Sequence, residues 1–138
     1  MAQAIYLLDT NTVSFIIRGQ PVHVRERLSS VPMASVSISA ITEAELLHGL
    51  AKNPSAKRLH TAVREFLIRV TALPWDSTAA EAYAHLRAKS EKLGKSLSNM
   101  DMLIAAHAMA SDAILVTNDR AFYQFSDLIQ LEDWTTPA

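Results

Sequence analysis

The sequence predicts an α/β fold with a mainly parallel sheet of about five strands. Short continuous apolar runs at Ile5–Leu8 and Ala113–Val116 read as strands buried on both faces, which occur chiefly in parallel sheets covered by helices. Segments with helical apolar spacing stand between the strand-like runs, the pattern of βαβ units. Right-handed crossovers then place helices on both faces of the sheet.

Taken in order, the first strand is Ile5–Leu8 and runs straight into Asp9. Thr12 to Arg18 reads as a short helix with Val13, Ile16 and Ile17 on its apolar face. Gly19 is placed to end it, with Pro21 just beyond. Pro21 to Leu28 follows as a second short helix, its charges Arg25, Glu26 and Arg27 facing water. Ala34 to Ile38 alternates serine with Val36 and Ile38 and is expected to be the second strand. Thr42 with Glu45 three residues later forms a capping box, leading into Leu46, Leu47 and Leu50. Gly49 inside this helix costs roughly 1 kcal/mol relative to alanine, which points to a close neighbour. Asn53-Pro54 breaks the pattern. Leu59, Val63, Phe66, Leu67 and Val70 then mark an amphipathic helix. Thr71 to Trp75 is the third strand.

Ser77 or Thr78 caps a long helix that ends at Gly94. After the polar stretch Lys95 to Asn99, Met100 to Ala110 is apolar nearly all round apart from Asp101 and His107, hence a buried helix. Ala113 to Val116 is the fourth strand and is followed by Thr117-Asn118-Asp119. A short helix through Phe122 and Phe125 precedes a final edge strand, Leu128 to Leu131. The tail from Glu132 to Ala138 is expected to be loosely held, with Trp134 pinned.

The 138 residues suit one domain, spanning 1–138. A content of 49% hydrophobic and 20% charged residues is that of an ordinary globular protein. No apolar stretch is long enough to span a bilayer, and the first residues lack the basic-then-apolar pattern of a leader. The absence of cysteine excludes disulfides and thiolate zinc sites and fits a cytoplasmic protein. A net charge of −1 gives no bulk attraction to nucleic acid. A polyanionic partner would need a local basic patch or a bound metal ion.

The acids carry the functional signal. In an open α/β sheet, ligand sites lie beyond the carboxyl ends of the strands, and helices start at that same edge. Asp9 ends the first strand and either caps the next helix or faces a ligand. Glu45 and Asp101 each lie in the first turn of a helix, and Asp119 follows the fourth strand. Glu45 could simply close a box with Thr42, and Asp101 one with Ser98; the helix dipole favours acids there in any case. Four carboxylates from four segments at one rim are harder to explain structurally. Two carboxylates about 4 Å apart repel by roughly 4 kcal/mol at an effective dielectric of about 20. A divalent cation relieves that repulsion, and oxygen-only ligands favour Mg²⁺ or Mn²⁺ over zinc.

Asp9 therefore reads as a metal ligand, with capping left to Thr10 or Asn11. Glu43 and Glu45 lie about 200° apart on a helix, so one faces away; Glu45, next to Leu46, is the rim acid. Such a centre acts on phosphates. The absence of a Gly-rich loop disfavours a P-loop nucleotide site, leaving phosphodiester or phosphomonoester hydrolysis. Lys92 and Lys95 approach the rim of Asp101, with Arg18 and Arg120 behind them, as candidate contacts to the phosphates of a substrate. His107 is a histidine on a buried helix, a setting in which hydrogen-bonded structure is commoner than catalysis.

Four motifs in order now carry a resemblance: Leu8-Asp9-Thr10-Asn11; Thr42-Glu43-Ala44-Glu45-Leu46 with Gly49; Asp101-Met102-Leu103-Ile104-Ala105-Ala106-His107-Ala108; and Val116-Thr117-Asn118-Asp119. Together they resemble the PIN-domain nucleases, and most of all the VapC-type toxins of bacterial toxin–antitoxin pairs. The resemblance implies a three-layer α/β/α sandwich and places the family acids on Asp9, Glu45, Asp101 and Asp119. It further implies Mg²⁺- or Mn²⁺-dependent endonucleolytic cleavage of RNA, with tRNA the first candidate. It also implies a homodimer, neutralisation by a cognate VapB-type antitoxin whose tail covers the acids, and a higher toxin–antitoxin assembly. Asn11 and Thr117 would then be supporting residues. A non-toxin PIN nuclease in RNA processing, or a metal-binding adaptor without activity, are the alternatives within the fold. A phosphatase with an aspartyl nucleophile would want an acid where Asn11 stands. A phosphoacceptor receiver domain would need paired acids after the first strand and a lysine after a late one; neither is present.

Overall fold

The computed structural model describes residues 4–137. Five strands, β1 (Tyr6–Leu8), β2 (Val36–Ser39), β3 (Thr71–Leu73), β4 (Ile114–Val116) and β5 (Gln130–Glu132), form one sheet in the order β3-β2-β1-β4-β5. Every pairing is parallel, and β1 lies at the centre with Leu8 beside Ile38 on one side and Val116 on the other. Successive strand residues point to opposite faces, so Leu7 and Leu115 enter one core while Leu8 and Val116 enter another. The expected parallel α/β sandwich is the observed architecture.

Helices α1 (Thr10–Arg18), α2 (Val22–Ser29), α3 (Ala40–Ala51) and α4 (Lys57–Arg69) supply the core that holds Leu8. Helices α5 (Ser77–Leu93) and α6 (Asn99–Ala110), with the 3₁₀ segment Arg120–Phe125, supply the core that holds Leu7. Helix α6 buries Met102 and the run from Ile104 to Ala108, while Met100 in its first turn is exposed.

The helix ends follow local chemistry, in places differently from expectation. Gly19 and Gly94 close α1 and α5 in the left-handed conformation, where glycine carries no Cβ penalty. Arg25 does not simply face water: it folds back and donates to the terminal carbonyls of α1 at Ile16 (2.8 Å) and Ile17 (3.2 Å). Asp76, rather than Ser77 or Thr78, caps α5. The capping box at Thr42 does not form, because α3 begins at Ala40 with Ser39 as its cap. Thr42 is therefore a buried residue of the first turn, and Glu45 lies in the second turn, not the first. No close neighbour explains Gly49; a Cβ there would meet nothing within 4 Å.

Among the strands, β3 stops at Leu73, ahead of Pro74 and Trp75, and β5 lies two residues later than expected at its start. The serines of β2 are not on a wet face, since all four residues of the strand are buried. Ala138 lies outside the described residues, but the tail before it is not loose. Trp134 is 2% exposed. Its indole N–H donates to Glu132 at 2.9 Å, its ring meets Tyr6, and Arg27 pairs with Glu132 at 3.3 Å.

Candidate active site

The strand order reverses between β1 and β4: successive strands lead one way to β2 and β3, and the other way to β5. Such a switch point opens a crevice at the carboxyl ends of the two strands. Asp9 leaves β1 at this crevice and Thr117-Asn118-Asp119 leaves β4.

Asp9 is buried and is itself the cap of α1, so capping and rim roles coincide in one side chain. Its Oδ1 accepts from the Thr12 backbone N–H at 2.8 Å, while its own N–H donates to the Val116 carbonyl at 3.1 Å. The Thr12 hydroxyl donates to that same carbonyl at 3.0 Å. The start of α1 is thus tied to the end of β4. Thr117, fully buried, hydrogen-bonds the Asp9 carboxylate through its hydroxyl. That oxygen also accepts from the Asp119 N–H at 3.0 Å, and the Thr117 carbonyl accepts from the Tyr123 hydroxyl at 3.0 Å. Asp119 caps the 3₁₀ segment through Ala121 at 3.0 Å.

The other two acids arrive on helices. On α3, Glu45 Oε1 accepts from the Thr10 hydroxyl at 2.5 Å, so Glu45, not Glu43, is the α3 acid held against α1. The buried Thr42 hydroxyl lies 3.4 Å from the same Thr10 oxygen. On α6, Asp101 lies in the first turn, its N–H donating to the Ser98 cap at 3.2 Å.

These acids share one electrostatic field. Burial pushes the Asp9 carboxyl above its ordinary value; hydrogen bonds from Thr117 and Thr12 oppose this, and the Asp101 charge adds to it. Burial also raises Asp101, opposed by its bond with Ser98 and reinforced by Asp119 and Glu45. Among the described residues, none of the four acids is in an ion pair. Neither do three acidic or histidine side chains among them converge into a ready chelate. The rim therefore holds carboxylates within one another's field and outside any ion pair among the described residues. That donor set fits a hard divalent ion such as Mg²⁺, which binds through one or two carboxylates and retains several waters.

Most of the remaining sequence candidates have partners of their own. Asn11 is exposed on α1, and the bracing bonds are made by its neighbours Thr10 and Thr12. Their signal was already in the sequence, as hydroxyl residues on either side of Asn11 at a helix start. His107 is buried and bonds the Ser39 hydroxyl at 2.7 Å, away from the acids. Arg18 stacks on Phe15 with 5.2 Å from its guanidinium carbon to the ring centre. Arg120 lies 4.6 Å over Tyr123 and pairs with Asp133 at 2.7 Å. Lys95 donates to the Gln124 carbonyl at 3.1 Å, and Lys92 is exposed in the last turn of α5. Beside Glu45, a groove of about 290 Å³ opens between α1, α3 and α4, lined by Ile17, Leu46, Leu50, Leu59 and Val63.

Known proteins are similar to this chain in sequence and fold. The sequence profile of the PIN domain matches residues 6–128. The tRNA(fMet)-specific endonuclease VapC of Salmonella typhimurium is 33% identical over 129 residues, covering 94% of this chain and 97% of the relative. Ribonuclease VapC2 of Haemophilus influenzae is 31% identical over 129 residues, with the same coverage of 94% and 97%. Among solved structures, DNA-bound VapBC from Salmonella typhimurium superposes with a TM-score of 0.86 at 32% identity, over 96% of this chain and 99% of that one. VapBC2 from Rickettsia felis, bound to a promoter DNA fragment, gives 0.84 at 33% identity over 94% and 98%. With the acids at the switch point and the likeness running almost end to end, the chain belongs to the PIN-domain family, among its VapC-type ribonucleases.

Proposed function

We propose that this chain is the toxin of a type II toxin–antitoxin pair, an endoribonuclease that hydrolyses RNA phosphodiester bonds at the four-acid rim. What supports this reading is that the charge of Asp101 interacts with those of Asp9, Asp119 and Glu45, while none of the four is in an ion pair among the described residues. We assign Mg²⁺ or Mn²⁺ to that rim, held by these carboxylates. When bound, such an ion polarises phosphoryl oxygens and lowers the pKa of a bound water.

The chain's own residues do the rest. Thr117 and Thr12 hold the Asp9 carboxylate in a fixed orientation at the crevice. Thr10 orients Glu45. Burial and neighbouring negative charge raise Asp9 and Asp101, a cost that a bound cation would relieve. Arg18, Lys92, Lys95 and Arg120 form the basic surroundings through which the phosphate backbone is drawn in. Because similar proteins are named for action on tRNA(fMet), tRNA is the substrate class assigned, and its cleavage blocks translation and growth.

The chain's solved relatives occur in VapBC complexes, which supports a VapB-type antitoxin as partner. The apolar groove beside Glu45 is a natural seat for an antitoxin tail that covers the rim. A homodimer, a higher assembly with the antitoxin, a single domain over residues 1–138 and a cytoplasmic location complete the reading. Among the described residues no helix is long and apolar enough to cross a membrane.

Induced expression without antitoxin is expected to arrest growth, and Asp9→Asn to relieve the arrest. Purified protein is expected to cut tRNA with Mg²⁺ or Mn²⁺ and to stop on addition of chelator, the cut sites being read by mapping RNA 5′ ends. Undiminished toxicity of Asp9→Asn would overturn the mechanism.

A further inference from the structure

We propose that His107 is a positioning residue for the acid rim and acts through the hydroxyl of Ser39, which rests on the assignment of that rim as the metal site. His107 and Ser39 are 3% and 0% exposed, and Nδ1 lies 2.7 Å from Ser39 Oγ. Ser39 ends β2 and caps α3, with its Oγ accepting from the Ile41 N–H at 3.1 Å. It points to the face of the sheet opposite Val36 and Ile38, where α6 packs.

The proton count fixes the direction of each bond. The other edge of the ring meets the Pro74 carbonyl, which can only accept. Nε2 therefore carries the ring proton and Nδ1 is the acceptor. An Nδ1 without a proton can only accept, so the Ser39 hydroxyl donates to it while accepting from the Ile41 N–H. Burial holds the ring below the usual histidine pKa, against the opposing pull of Asp76 and the Pro74 carbonyl, which keeps it neutral.

This bond joins the two helices that deliver acids to the rim. His107 lies six residues after Asp101 on α6, and Ser39 lies six residues before Glu45 at the head of α3. Six residues are about 9 Å along a helix axis, so the ring is too far from the acids to act on substrate. It sets instead how α3 is seated against α6, and hence how Glu45 meets Asp101, whose charges already feel each other. Groups bonded directly to metal ligands are typically worth about 10- to 100-fold in metal affinity; the Ser39–His107 bond stands one step further back and is assigned the low end of that range.

Two isosteres split the ring's functions. In His107→Asn the side-chain oxygen takes the place of Nδ1 and keeps the Ser39 bond while giving up Pro74. In His107→Gln the amide nitrogen takes the place of Nε2, keeping Pro74 and giving up Ser39. Calorimetric titration of metal-free protein with MnCl₂, alongside unfolding midpoints, reads the difference. His107→Gln is expected to bind Mn²⁺ about 10-fold more weakly or worse, and His107→Asn to stay within about threefold of wild type, although both midpoints fall. Equal losses in the two variants, or wild-type affinity in His107→Gln, would show a merely structural histidine. If His107→Gln does not fold, Ser39→Ala decides: weakened Mn²⁺ binding supports the role and unchanged binding ends it. Wild-type protein that fails to bind Mn²⁺ refutes the acid-site assignment itself, and this inference with it; intact wild-type binding with no split refutes the inference alone.

Discussion

At the scale of the residue, Asp9 carries a conflict that a sequence can only suggest. It caps a helix, for which asparagine is an equal substitute, and it is a buried charge beside Asp101. A carboxyl whose folded pKa is raised stabilises the fold below its unfolded pKa, and that contribution is lost as pH rises through the folded value. In chelator, Asp9→Asn is therefore expected to be more stable than wild type at neutral pH. The gap should close as pH falls below the ordinary carboxylate range, as urea unfolding across pH would show. The same variant is expected to lose about 100-fold or more in RNA cleavage, the loss that about 2.7 kcal/mol of barrier carries. A stability gain paired with an activity loss marks a residue held for function. The positions of Asp9 and Asp119 after strands and of Asp101 in the first turn of α6 were legible because strand ends and helix starts share one edge, whereas Glu45 falls one turn further into α3 than that reasoning placed it. Thr10 and Thr12 were less so, because which hydroxyl braces which carboxylate depends on contacts between α1 and both α3 and β4, elements far away in the chain.

At the scale of the element, two glycines make opposite predictions. Gly19 holds φ +76° and sits under the guanidinium of Arg25, whose carbon would be 2.9 Å from an added Cβ. Gly19→Ala is expected to destabilise by about 1–2 kcal/mol. Gly49 is an ordinary helical residue with open space beside it, so Gly49→Ala is expected to stabilise by about 0.5–1 kcal/mol. Urea unfolding of both variants checks the pair; destabilisation by Gly49→Ala would mean the groove it lines is occupied or closes in solution. The misplaced start of α3 has a related lesson. Ser39 and Thr42 are both competent caps three residues apart, and local pattern favoured Thr42 with Glu45. What selects Ser39 includes a partner 68 positions away, His107, which no local window contains.

At the scale of the whole molecule, alternation of strands and helices was enough to anticipate the parallel sheet and both helical layers. It did not reveal the strand order, which sets where the crevice lies. The firm seating of the tail was hidden because Trp134 reaches Tyr6 at the opposite end of the chain. The central place of β1 also has a consequence in time. Its neighbours are β2, soon to follow, and β4, which follows much later; the bond from Thr12 to Val116 spans 104 positions. At synthesis rates of about 5–20 residues per second, roughly 5–20 s separate the emergence of those two partners. A fragment ending at Ser111 is expected to leave growth unaffected when expressed alone; arrest by that fragment would show that β4 is dispensable. If the chain is the toxin proposed above, a ribosome translating its message carries an inactive nascent chain until the sheet's middle strand finds its second neighbour, and that interval is the time in which an antitoxin can be made ready.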